Sequence, residues 1–149
     1  MLNVPFFSQE TEFFCGPACV QMILAAFSVS AQQEELASLL HTTRDGTLTR
    51  NIPETIKRFG LSVIVECPST IQLLKQHLIN DCVVMVNFIE PRENLGHYII
   101  VVEASTSHLV YHDPEAGPNQ QMLISEFMPR WQAESEPVKQ WLLAVEKRK

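Results

Sequence analysis

The sequence predicts a single α+β domain in which helices and strands are segregated along the chain. Three observations carry this. A run from Ala18 to Phe27 is apolar on nearly every face, and it follows a Gly-Pro pair that suits a helix start. Helical spacing of apolar residues continues to Ile79. Beyond that point the period changes, and three β-branched runs follow, Val83 to Ile89, His97 to Glu103 and Leu109 to His112. Helices first and strands second is the pattern of a segregated α+β fold. The 149 residues contain no repeat, low-complexity tract or linker, so residues 1–149 are expected to form one domain.

The elements follow in order. Val4-Pro5-Phe6-Phe7 is a short extended lead-in, and a polar loop through Gln9 runs to Cys15. Gly16 permits a tight backbone turn, and Pro17 suits the first helical position, where its missing N–H is not needed. A buried helix runs to about Phe27, with Gln21 its one clear polar interruption. Ala31 to Leu40 reads as a second helix, with Leu36, Leu39 and Leu40 inward. Arg44 to Thr47 is a turn around Gly46. Thr49 to Phe59 is a third helix stopped by Gly60, and Leu61 to Glu66 a short strand. Ser69 is read as the cap of a fourth helix, Thr70 to Ile79. After the β-branched runs, residues 113–118 form a turn-rich loop. Ile124 to Trp131 is a short helix interrupted by Pro129, and Val138 to Glu146 a final strand.

Composition narrows the functional class. The chain is 46% hydrophobic and 19% charged, ordinary for a soluble globular protein. Its 17 acidic residues against 11 basic give a net charge of −6, which argues against nucleic-acid binding. No apolar run reaches the length of a membrane span, and the first residues lack the basic n-region and apolar h-region of a signal peptide. A cytoplasmic location is expected. Four cysteines do not make a disulfide scaffold at this length, and free thiols are expected.

Cys15 is placed at the N-terminal mouth of the buried helix, where unpaired N–H groups and the macrodipole favour an anion such as a thiolate. That placement contributes at most ~2 kcal/mol. A free thiol, with pKa ~8.5, stays mostly protonated near neutrality without a second group. His97 is the candidate. It opens a strand apolar on both faces, fixed yet reachable at a sheet edge, as a general base must be. The alternative is a histidine that merely caps a strand. Asp113 ends the next strand and, counted outward from the turn at residues 105–107, returns roughly opposite His97. Its carboxylate is positioned to accept the imidazole Nδ1–H, or simply to start an Asp-Pro turn, and one residue can do both. Gln9 lies six residues before Cys15, where its amide can point at an oxyanion beside the Cys15 N–H, or simply be solvated.

Four separated pieces then agree in order and spacing. Val4-Pro5-Phe6-Phe7-Ser8-Gln9, Cys15-Gly16-Pro17-Ala18, Gly96-His97-Tyr98-Ile99-Ile100-Val101 and His112-Asp113-Pro114-Glu115-Ala116-Gly117 resemble the C39 and C39-like cysteine peptidases. That family is papain-like and is best known from the processing domains of bacterial bacteriocin-exporting ABC transporters. The resemblance implies a papain-like fold, with the nucleophile helix of an N-terminal helical part packed on a C-terminal antiparallel sheet. It implies Cys15 as nucleophile, His97 as base, Asp113 as orienter and Gln9 as oxyanion residue. It implies a peptide or protein substrate and no cofactor. No membrane or ATPase segment accompanies the domain in these residues. The Val-Pro lead-in and the Cys-Gly-Pro-Ala form are more similar to the soluble C39-like branch.

Rival readings remain. Cys15 and Cys19 on a helix, or His108 and His112 on a strand, invite a metal site, but Cys19 lies inside the apolar run as a core thiol, and side chains four apart on a strand are about 13 Å apart, too far to share an ion directly. A redox dithiol would need Cys-Gly-Pro-Cys, and Ala18 intervenes. Some C39-like domains have lost the cysteine and only bind peptides, whereas all four expected residues are present here. Finally, a Cys-His-Asp site forms a thioester that water or an amine resolves, so glutamine deamidation and acyl transfer stand beside peptide hydrolysis. The Glu10–Phe14 loop, the Arg44–Thr49 turn and the Glu90–Gly96 loop are the expected pocket walls.

Overall fold

The computed structural model describes residues 2–134 and 136–148. A six-stranded antiparallel sheet is its centre, in the order β1-β6-β2-β3-β4-β5. The strands are β1 (Leu61–Glu66), β2 (Val83–Ile89), β3 (Gly96–Ala104), β4 (His108–Asp113), β5 (Gly117–Leu123) and β6 (Leu142–Lys147). The helices are α1 (Cys15–Ala26), α2 (Gln33–Leu39), α3 (Ile52–Lys57), α4 (Ile71–Ile79) and α5 (Ile124–Phe127), with short 3₁₀ turns before α3 and after α5.

The apolar alternation of β2, β3 and β6 decides the layering. Val83, Met85, Tyr98, Ile100, Leu143 and Val145 face a core shared with α1, α2 and α3. Val84, Val86, Phe88, Ile99, Val101 and Leu142 face a second core, closed by α4 and by Phe127 and Trp131. Helices therefore cover both faces, which explains why β2 and β3 read as continuous apolar runs. The polar exception in the buried helix is resolved by pairing: Gln21 accepts from the Gln33 side chain at 2.8 Å and donates to the Ala31 carbonyl at 3.1 Å.

Several boundaries move for physical reasons. α1 begins at Cys15, so Pro17 is its third residue, still inside the first turn where no N–H is required. Thr70, not Ser69, caps α4, accepting from the Leu73 N–H at 3.1 Å. Ser69 is buried and gives its hydroxyl to Glu66 at 2.8 Å. The third helix is split into a 3₁₀ turn and α3, with Pro53 in the first turn of α3. β5 begins inside the stretch read as a turn-rich loop and continues through residues to which no element was assigned, and the final strand starts at Leu142, four residues later than its apolar run suggests.

Candidate active site

Cys15 is the first residue of α1, and the first intrahelical bond is donated by Ala18 to the Phe14 carbonyl at 2.9 Å. The Cys15 N–H thus precedes the helical ladder and is available to a ligand. Gly16 is required by close approach, because a Cβ there would meet the Thr47 Oγ1 at 2.5 Å. Thr47 is itself fixed. Its hydroxyl pairs with Thr42 at 2.7 Å, and its carbonyl accepts from the Tyr98 hydroxyl at 2.6 Å. The start of α1, the Gly46 turn and β3 are thereby tied together.

His97 is 6% exposed and packs near the Phe88 ring, at 6.4 Å between centroids. Its Nε2 donates to Asp113 Oδ1 at 2.6 Å, and it lines the same small cleft as Cys15, whose charge acts on the ring. The nitrogen expected from sequence to meet the carboxylate is therefore exchanged: Nε2 meets it, which leaves Nδ1 as the other ring nitrogen. The register explains it. Ile100 pairs with His112, so Asp113 continues into the slot opposite Ile99, two residues along β3 from His97. The carboxylate is a diagonal neighbour.

Asp113 combines both roles read for it. Its Oδ1 also accepts from the N–H groups of Glu115 at 2.9 Å and Ala116 at 3.2 Å, which closes the Asp-Pro turn. Its Oδ2 accepts from Arg92 at 3.3 Å. Burial raises the Asp113 pKa, but the His97 hydrogen bond and charge and the two N–H groups outweigh it and hold the carboxyl below its ordinary 3.8. Burial lowers the His97 pKa from 6.5, but Asp113 and Cys15 outweigh it and carry it to about 10.

Gln9 lies in a loop that is tied to the site. Its backbone N–H donates to the Pro114 carbonyl at 2.9 Å, beside Asp113, so the loop is held against the site. Its side-chain Nε2 donates to the Thr11 carbonyl at 2.9 Å, while its Oε1 is buried without a partner. It is not among the residues lining the small cleft of about 80 Å³ that contains Cys15 and His97.

That cleft has the Asp45–Thr47 turn and Gly96 as walls, but not the Glu10–Phe14 loop. The remaining wall is the chain around Ala133, Glu134 and Glu136, which no sequence signal marked. Glu134 accepts from the Gly96 N–H at 2.6 Å, and Glu136 accepts from the Thr49 N–H and hydroxyl at 3.2 and 2.9 Å. This segment therefore bridges the sheet and the helical side. Arg92 is a second residue that sequence reading missed.

Among the described residues no cluster of histidines, cysteines and carboxylates could hold a metal. His112 accepts from the Asn119 N–H at Nδ1 and donates from Nε2 to the Val4 carbonyl at 2.8 Å, a packing role. Cys19 is fully buried, and all four cysteines are unpaired.

A cysteine at the start of a buried helix, beside a histidine and a carboxylate on an antiparallel sheet, places the protein in the papain-like class of architectures. The chain belongs to the Peptidase C39 family, a family of cysteine peptidases, whose model matches residues 3–135. No sequence among the curated proteins matches it. Among solved structures it resembles the peptidase domain of Streptococcus ComA, a bifunctional ABC transporter of a quorum-sensing pathway. Identity is 19%, the TM-score is 0.78, and 98% of this chain and 100% of that one are covered. A double glycine motif protease from an AMS/PCAT transporter, solved with its leader peptide, has 17% identity and a TM-score of 0.78, covering 99% of this chain and 94% of that one. A Bacillus anthracis protein described as a C39-like peptidase has 12% identity and the same TM-score, covering 100% and 97%. At these identities the likeness speaks to the fold. No helix among the described residues is long and apolar enough to cross a membrane.

Proposed function

We propose that this protein is a thiol peptidase in which Cys15, His97 and Asp113 act as a catalytic triad and Gln9 assists at the oxyanion. The observation that carries the reading is His97 itself, bonded to the Asp113 carboxylate at 2.6 Å in the cleft it shares with Cys15, with its pKa raised to about 10 by those two partners. An imidazolium at that place is the partner a thiolate needs.

The reaction follows from the positions. The Cys15 sulfur attacks an amide carbonyl carbon and a C–S bond forms. The Cys15 N–H, together with the second N–H of the Gln9 amide once a substrate draws it in, stabilises the oxyanion. The His97 imidazolium gives its proton to the amine nitrogen as the C–N bond breaks. The neutral ring then takes a proton from water, whose oxygen attacks the thioester. The C–S bond breaks, an acid is released, and the thiolate–imidazolium pair returns. No step needs a cofactor or a metal.

The small cleft, bounded by the Asp45–Thr47 turn on one side and by Gly96 and Glu134 on the other, supports a substrate with small residues at the scissile bond. A leader ending in a double glycine motif is one such substrate. The acyl-thioester also permits an amine or a glutamine side chain as reactant, so deamidation or acyl transfer is the second reading. Incubation with peptides carrying small-residue pairs and with glutamine peptides, followed by mass, decides between them. Chain scission is the expected result. A 1 Da gain without scission would establish deamidation instead. Loss of all turnover with intact peptide binding would point to a binding module. The alkaline limb of kcat/KM is expected near pH 10, because above it the ring lacks the proton that the leaving amine requires. A pH–rate profile checks this.

A further inference from the structure

Asn87 lies in the middle of β2, in a strand otherwise wholly apolar. It is 4% exposed, yet its Oδ1 has no hydrogen-bond partner. A buried acceptor left unpaired costs about 1–3 kcal/mol, so its retention calls for a physical reason. The surroundings supply one. Asn87 lines the same small cleft as Cys15 and His97, and its cross-strand neighbour is Tyr98. The Tyr98 hydroxyl cannot serve it, being given to the Thr47 carbonyl at 2.6 Å. The charged residues lining the cleft apart from His97 are all acceptors: Asp45, Glu134 and Glu136. What the Asn87 Oδ1 lacks there is a donor.

We propose that Asn87 is a substrate-positioning residue, whose side-chain oxygen accepts a main-chain N–H of the substrate beside the scissile bond. This deepens the peptidase reading and rests on it. The substrate donor completes a hydrogen bond that the folded protein leaves open, and it enters a cleft whose carboxylates favour a donor-bearing strand. Asn87 acts by fixing the carbonyl against Cys15, not by touching the reacting atoms. It is distinct from Gln9, whose amide sits outside the cleft lining.

The test uses the small aldehyde acetyl-Gly-glycinal, which traps a thiol reversibly, and two analogues in which one N–H is replaced by an ester oxygen. The change removes a donor at nearly unchanged size. Each is titrated for protection of Cys15 against iodoacetamide. In the wild-type protein one of the two esters is expected to protect about tenfold less well, the value of one hydrogen bond. The other should match the parent. In Asn87→Leu the difference should vanish, and in Asn87→Asp it should persist. Equal protection by all three compounds in the wild type overturns the proposal, and that arm needs no variant to fold. Discrimination that survives in Asn87→Leu also overturns it. If the parent aldehyde fails to protect Cys15 at all, the peptidase reading fails first and takes the proposal with it.

Discussion

Cys15→Ala is expected to abolish turnover, by roughly 10⁴-fold or more, while leaving the fold intact. The side chain lost is small and only partly buried, packed at the margin of the core formed by α1. The helix does not depend on it, since Gly16 to Leu24 are buried and the ladder begins with the Ala18 N–H. Thermal unfolding should shift by no more than a few degrees, whereas no other group in the cleft can replace the sulfur. Activity that survived in a folded Cys15→Ala protein would remove the nucleophile from the account.

Asp113→Ala is expected to have the largest effect on stability. The substitution leaves His97 buried without its partner, at 5% side-chain exposure, and strands the N–H groups of Glu115 and Ala116. Breaking a buried pair of this kind costs about 3–5 kcal/mol. The half-exposed Arg92 keeps Glu90 and Glu115 as partners, so its lost contact adds little. Asp113→Asn keeps an acceptor and the turn, so it should retain more stability and some activity. The pH dependence has a definite sign. The Asp113 carboxyl is held below 3.8, so its contribution is present above that value and is lost as pH falls through the lower folded one. His97 is raised from 6.5 to about 10, so its contribution is complete below 6.5 and is lost as pH rises through about 10. Denaturation of wild type and Asp113→Ala should therefore differ most between about pH 4 and 6.5 and converge towards both extremes. A difference that did not change with pH would mean the pair is not ionic.

What the sequence disclosed depended on how local each signal is. Cys15 followed by Gly16 and Pro17 announces a helix start, and the apolar run behind it announces burial. His97 and Asp113 could be brought together by counting from one turn. Which imidazole nitrogen meets the carboxylate could not, because the diagonal register decides it. β5 escaped notice because it is an edge strand in which Met122 alone is buried, so the apolar alternation that marks a strand is missing. The wall residues Ala133, Glu134 and Glu136 and the Arg92 contact lie in irregular chain, where no period exists to read. Asn87 was legible in principle. A lone amide within Val83-Val84-Met85-Val86-Asn87-Phe88-Ile89 is a polar group that an apolar strand must have a reason to bury.

The central claim, a thiolate paired with a protonated His97, is tested most directly by the rate of iodoacetamide alkylation at Cys15 against pH. The rate is read by peptide mass spectrometry in the wild type and in His97→Ala. The account predicts fast alkylation that persists below pH 6 in the wild type and is lost in the variant. A rate that rises only near the ordinary thiol value of ~8.5, and alike in both proteins, would contradict it and make the catalytically silent peptide-binding domain the better reading.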